Sequence, residues 1–315
     1  WLSRVEIEEE KITHPILSED ESAGVDRAGL YRQLTWTANM LNFGYYGWKV
    51  RGWTTVEFDD QRLLYAPGLN AGSVAVQYML SRVSSYTEWQ SAVSTNGVYA
   101  TYLRYFGDPF ENTLEPLVPT TLGQPDMTLP FAQGETWFYT GGAHGGWGSG
   151  SAWAAVDFAP PDEPPSGVFC YTSEHWTTAI APGLIVRSNQ GAVVLDLDGD
   201  GDESTGWTVL YLHIATDGRV TEGTYVNAGD RIGRPSCEGG FSTATHMHIA
   251  RRFNGEWIPA YCHACSELHQ RPIFNMGGWE VIGLRNQEYQ GYLERSGERR
   301  IAEQGRLNPD NRISW

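Results

Sequence analysis

His246 and His248 stand one residue apart in the stretch Ser242 to Phe253 (STATHMHIARRF), in a chain that has only eight histidines. If the stretch is a strand, successive side chains alternate between faces, so His246 and His248 share one face while Thr245, Met247 and Ile249 share the other. Two imidazoles side by side are either satisfied polar groups of a half-buried strand or part of a metal site, and partners decide between the two. His144 lies in the glycine-rich GGAHGGWGSGSAWAAVDFAP. Asp157 closes a short alternating run of that segment, on the face of Trp153 and Ala155. His213 ends WTVLYLHIA on the face of Trp207, Val209 and Tyr211. A catalytic zinc takes three protein ligands, commonly imidazole and carboxylate, and keeps a fourth position for water. Two histidines and one aspartate meet that count. The remaining two histidines could take a proton from the water and steady the developing oxyanion.

The elements that must position these groups differ between the two halves of the chain. In the first half, Leu30, Leu34, Ala38 and Leu41 recur at helical spacing over Asp26–Phe43, with Gly44 as the expected stop. Asn70–Ser84 and Thr87–Phe106 repeat the pattern. The latter opens on Thr87 and Gln90 at capping-box spacing, breaks near Asn96-Gly97 and ends at Gly107-Asp108-Pro109. After Pro109 a proline-spaced connector leads to short alternating runs with glycine-rich turns. Strands are expected at Leu184–Val186, Ala192–Leu197, Trp207–Ile214 and Thr245–Arg251, then near Trp279–Leu284 and Tyr289–Leu293. Close spacing along the chain favours antiparallel pairing, because parallel strands need long crossovers. The expected class is α+β: a mainly antiparallel β domain preceded by a mostly helical module. The boundaries read as 1–125 for the helical module, 126–275 for the β domain, and 276–315 for C-terminal strands and a polar, arginine-rich tail.

The segment TEGTYVNAGDRIGRPSCEGGFSTATHMHIARRFNGEW resembles the core of the lysostaphin-type zinc metallopeptidases, the LytM-domain peptidoglycan endopeptidases, in which a glycine-rich turn leads into an HxH strand. The LasA, or staphylolysin, branch is the nearest pattern. There the first ligand histidine and the ligand aspartate lie far apart, as His144 and Asp157 do, where most of the family has a compact HxxxD. The resemblance covers roughly residues 135–260. It implies that His144, Asp157 and His248 bind zinc, that His246 is the general base and that His213 stabilises the transition state. Tyr211, on the expected face of His213, would add a hydrogen bond to the oxyanion. The resemblance further implies a secreted endopeptidase whose zinc-activated water cuts peptide cross-links of peptidoglycan, often Gly-Gly bonds, and it favours a Cys170–Cys237 disulfide through the CEGG motif. Ala244 departs from the family, which usually carries glycine two residues before the HxH. The competing expectation is a catalytically silent or occluded protein of the same fold that binds cell wall or regulates wall hydrolases. Lost ligands usually mark such proteins, and all five polar positions are filled here.

Other signals set the surroundings. Asp196, Asp198, Asp200 and Asp202 in LDLDGDGDESTGW match the first half of an EF-hand loop, so calcium is a second candidate metal, although Trp207 stands where the bidentate glutamate belongs. Cys262 and Cys265 form a single CxxC, which suits a disulfide, within the chain or to another one, better than a zinc knuckle built from two such pairs. His14, His175, His263 and His269 have no evident partners. A formal charge of -16 argues against nucleic acid and anionic membrane as partners. The glycines around His144 are no phosphate cradle, since no Gly-Lys-Ser/Thr follows. Asp157 with Asp162 could run glycosidase chemistry only as scattered acids found in any chain. No apolar run approaches the ~20 residues of a membrane span. Four cysteines and 13 Trp against 22 Lys plus Arg suit an extracytoplasmic protein. The chain starts at Trp1, so the expectation is a processed or excised portion of a longer one.

Overall fold

The computed structural model describes residues 19–20, 25–26, 29–59, 61–111, 113, 116–262 and 271–315. The chain divides into two compact units, Trp1–Glu115 with Gly148–Ser151, and Pro116–Trp147 with Ala152–Trp315.

The first unit holds α1 (Leu30–Lys49), α2 (Ala71–Ser81), α3 (Tyr86–Ala92) and α4 (Val98–Phe106), with a small hairpin of Thr55–Glu57 and Arg62–Leu64. Asn70 caps α2 by accepting the Ser73 N–H at 2.7 Å. The capping box belongs to Ser85 and Glu88 rather than to Thr87 and Gln90. Ser85 precedes the first helical residue, and the Glu88 carboxylate returns to its N–H at 2.9 Å, while Thr87 falls inside α3. Gly44 does not stop α1 as its sequence position suggests. A Cβ there would lie 2.6 Å from the Ala75 Cα and 2.8 Å from the Tyr78 Cβ, so the glycine lets α1 and α2 pack backbone against backbone. Val56, Tyr65, Val74, Met79, Leu80 and Trp89 form the core of this unit.

The second unit is built on antiparallel β-structure. Its main strands are β1 (Thr136–His144), β2 (Ala155–Ala159), β3 (Gly183–Asn189), β4 (Ala192–Asp196), β5 (Trp207–Leu212) and β6 (Met247–Phe253). Three more, β7 (Trp279–Leu284), β8 (Gln287–Arg295) and β9 (Glu298–Ile301), form a separate sheet with Asn275–Met276, and β10 (Arg312–Ser314) returns to the main sheet. The main sheet runs Tyr225–Val226, β3, β4, β5, β6, β2, β1, β10, with Glu256–Trp257 paired to β6 off this path. All of these pairings are antiparallel. The expected α+β class, with a helical region ahead of a mainly antiparallel β domain, is therefore what the chain adopts. Part of the expected polar tail is strand, because Arg312–Ser314 pairs with β1.

Strands β4 and β5 are rich in Val, Leu and aromatic residues and are buried throughout, as central strands covered on both faces should be. One face carries the core: Val193, Tyr211, Ile249, Val156, Phe158 and Trp137 pack with Phe274, Trp279 and Leu293 from the C-terminal segment. Among the described residues no helix is long and apolar enough to cross a membrane.

The Gly44 contact yields a direct test. Alanine gains helix propensity over glycine, worth about 1 kcal/mol. Because its methyl must displace the α2 backbone, a net destabilisation of about 1–3 kcal/mol is expected in urea unfolding of Gly44→Ala.

Candidate metal centre

Strand register builds the site. Leu212 lies across from His248, His248 across from Asp157, and Asp157 across from Gly141, forming one row over four strands. The neighbouring row, Tyr211, Ile249 and Val156, points to the opposite face and into the core. Small residues flank the ligand row. Ala250 pairs with Ala155, and a Cβ on Gly141 would lie 2.6 Å from Asp157 Oδ2, so only glycine leaves space for the carboxylate. Register shifts between Tyr139 and Gly141, and again between Gly141 and His144, bring His144 opposite Ala155. The result is a buried triplet. His144 Nε2 lies 3.3 Å and His248 Nδ1 3.2 Å from Asp157 Oδ1, and the two ring nitrogens are 2.9 Å apart.

Hydrogen bonds set the tautomers. His144 Nδ1–H donates to the Gly142 carbonyl at 2.8 Å, and His248 Nε2–H donates to the Gly146 carbonyl at 2.7 Å. The opposite nitrogens therefore turn lone pairs toward each other and toward Asp157 Oδ1, a buried oxygen with no hydrogen-bond partner. Three electron-pair donors converge where only positive charge can satisfy them. The electrostatics agree. Burial pushes the Asp157 carboxyl up, but the neighbouring His144 and His246 rings hold it well below its usual value. Burial pulls the His144 ring down, and Asp157 more than offsets this, so its pKa is raised. For His248 burial prevails and its pKa is lowered. Two imidazoles and one carboxylate fit the donor set of a zinc ion.

His246 lies just before β6, which starts at Met247 rather than at Thr245. Thr245 leaves the ladder because its N–H donates to the Phe169 carbonyl and its hydroxyl to the Tyr171 carbonyl. Even so, His246 Nε2 comes within 3.7 Å of Asp157 Oδ1, while Nδ1–H donates to the Ala244 carbonyl at 2.8 Å. His213 follows the end of β5 with φ 66, a left-handed conformation that turns its ring toward His246, the ring centroids lying 4.5 Å apart. Its Nδ1–H donates to the Glu238 carbonyl at 2.8 Å. Burial, with the neighbouring His246 and His248 rings, pushes the His213 ring down to about 4. Both rings thus present a lone pair on Nε2.

Tyr211 is a correction. It belongs to the row that faces the core, is fully buried, and its hydroxyl accepts the Ile180 N–H at 2.8 Å. The alternation that grouped it with His213 fails because the left-handed turn at His213 reverses that residue's side. In the acidic loop, Asp196, Asp198 and Asp200 cluster but Asp202 stands apart. Carboxylates of the loop accept its own N–H groups, Asp196 from Asp198 and Gly201, and Asp202 from Ser204, and residue 207 opens β5. A calcium loop thus has no support beyond three clustered carboxylates. Cys170 and Cys237 form the expected disulfide, next to Glu238, which holds His213. Cys262 is also disulfide-bonded, and Cys265 lies outside the described residues. His175 bonds to Glu135 at 3.0 Å, and His14, His263 and His269 lie outside the described residues.

The sequence reading missed Tyr289 and Glu288. The Tyr289 ring stacks on His144, with centroids 4.3 Å apart and planes 21° apart, and Glu288 Oε1 accepts the Gly145 N–H at 3.0 Å. No motif surrounds these two residues; the expected strand Tyr289–Leu293 includes Tyr289, and Glu288 lies just before it.

Two substitutions test the geometry. Gly141→Ala replaces no ligand, yet its methyl should weaken zinc binding about 10- to 100-fold in chelator competition by displacing Asp157. Tyr211→Phe should lower stability by about 1–3 kcal/mol, through the unpaired Ile180 N–H, and leave metal affinity unchanged.

Residues 1–119 match the family model described as LasA, N-terminal domain. The chain is 26% identical over 208 residues to Protease LasA of Pseudomonas aeruginosa, covering 61% of this chain and 47% of that protein. It thus spans about half the length of the curated relatives it matches. Among solved structures, the M23 metalloprotease pseudoalterin is 25% identical with a TM-score of 0.44, over 57% of this chain and 96% of that one. The catalytic domain of the antimicrobial peptidase lysostaphin from Staphylococcus simulans is 26% identical with a TM-score of 0.28, over 40% of this chain and 89% of that one. By its N-terminal region and its alignment with Protease LasA, the chain is similar to the LasA-type proteins.

Proposed function

We propose that this protein is a zinc metalloendopeptidase acting on peptide bonds of bacterial cell-wall peptidoglycan, Gly-Gly cross-links among them. The observation that carries the reading is the buried set of His144, Asp157 and His248, with lone pairs converging and Asp157 Oδ1 otherwise unpartnered. These three residues would hold the metal. When bound, zinc supplies a Lewis acid for the scissile carbonyl and brings the pKa of water toward neutrality.

The remaining steps fall to the chain's own side chains. His246, the less buried ring, takes the proton of the attacking water on Nε2, and the nearby Asp157 carboxylate stabilises the charge so formed. His213 stays neutral, and its free Nε2 accepts a hydrogen bond from the same water and orients it. A neutral ring with an acceptor nitrogen suits that task better than donation to an oxyanion, the role the family resemblance implied. Disulfide bonding of Cys170 with Cys237 supports an extracytoplasmic setting.

The test is metal content by mass spectrometry on the unaltered chain, His248→Ala and His246→Ala, paired with hydrolysis of a pentaglycine peptide and of purified peptidoglycan. Near-stoichiometric zinc is expected in the unaltered chain and in His246→Ala but not in His248→Ala, with His246→Ala slowed about 10²- to 10⁴-fold. Zinc without cleavage of either substrate would favour the silent, wall-binding reading, and absence of zinc from all three would overturn the metal centre.

A further inference from the structure

The β7–β8 hairpin contains an irregularity aimed at the metal centre. Leu284 pairs with Gln287 and Gly283 with Gly291, so Glu288, Tyr289 and Gln290 bulge out of the ladder. Tyr289 adopts φ 67, a left-handed conformation that costs free energy in a residue with a side chain. The bulge carries the Tyr289 ring onto His144 and the Glu288 carboxylate to the Gly145 N–H at 3.0 Å.

That N–H opens a two-glycine stretch. Gly145 and Gly146 are adjacent glycines with the widest backbone freedom of any residue pair, and the Gly146 carbonyl is the acceptor that fixes the tautomer and orientation of His248. The Trp257 ring packs against Gly146, and two hydrogen bonds hold the pair's N–H groups: the Gly146 N–H donates to the Ala152 carbonyl at 3.0 Å, and the Gly145 N–H donates to Glu288. We propose that Glu288 is a positioning residue of the metal centre, holding the Gly145–Gly146 segment so that Gly146 can orient His248. Glu288 touches no ligand ring through this bond and acts through the backbone, as outer partners of metal-ligating histidines do.

The inference rests on the metal-binding reading of His144, Asp157 and His248, and the test separates the two. Zinc affinity of the unaltered chain, Glu288→Ala and Glu288→Gln is measured by competition with a chromophoric chelator. Cobalt(II) absorption spectra and metal-free melting temperatures are recorded alongside. Glu288→Ala is expected to bind zinc about 10- to 100-fold more weakly and to shift the cobalt bands, with its metal-free melting unchanged. Glu288→Gln keeps a carbonyl acceptor and is expected to retain most of the affinity. Unchanged zinc affinity in Glu288→Ala overturns the positioning role while leaving the metal centre standing. Equal losses in both variants also overturn it, since the charge rather than the hydrogen bond would then be acting. A melting shift that accounts for the affinity loss overturns it as well, and an unaltered chain that binds no zinc overturns both readings.

Discussion

A buried carboxylate at Asp157 is the constraint around which the β unit is arranged. Taking an ionised carboxylate out of water costs several kcal/mol unless positive charge and hydrogen bonds compensate it. The sheet makes room for that anion with Gly141 across the ladder and with alanines at positions 155 and 250, and it surrounds the anion with three imidazoles from two segments. Each of those imidazoles is oriented by a backbone carbonyl on its far nitrogen, those of Gly142, Gly146 and Ala244. The same device therefore repeats around the anion. The backbone fixes the proton on one side of a ring so that the other side offers an electron pair.

The division between rings follows from depth and partners. His144 and His248 are buried against Asp157 and each other, which suits ligands. His246 is more open and still within reach of the carboxylate, which suits proton transfer. His213 lies outside that reach, held by Glu238 in a loop anchored through Cys237, and its burial keeps it uncharged. In the proposed reading, four histidines of one chemical type acquire different tasks from their surroundings alone.

Much of this was legible in the sequence because the chemistry is sparse and the strands alternate. The HxH spacing, a histidine inside a glycine-rich run and an aspartate closing a short apolar run are local signals, and the structure brings those residues together. The misreadings came where a single residue departs from its element. Gly44 reads as a helix stop, yet the packing of α1 on α2 uses it as a close-approach point. Tyr211 reads as a neighbour of His213, yet one left-handed residue separates their faces. Tyr289 and Glu288 reach the site through a bulge that no period-two pattern can reveal, because the bulge is the place where the period is broken.

The placement of the hydrophobic core bears on the order of events during folding. The core covers the opposite face of the sheet from the ligands and includes residues of the C-terminal segment, so the scaffold is held together by apolar burial that does not involve the metal. His144 and His248 are 104 residues apart in sequence and meet only once β1, β2 and β6 have paired. Such distant pairings close late, after the entropy of the intervening loops has been lost. In small zinc domains the ion drives folding; here it would enter a chain that has already folded, and its supply would govern when the protein becomes competent rather than whether it forms.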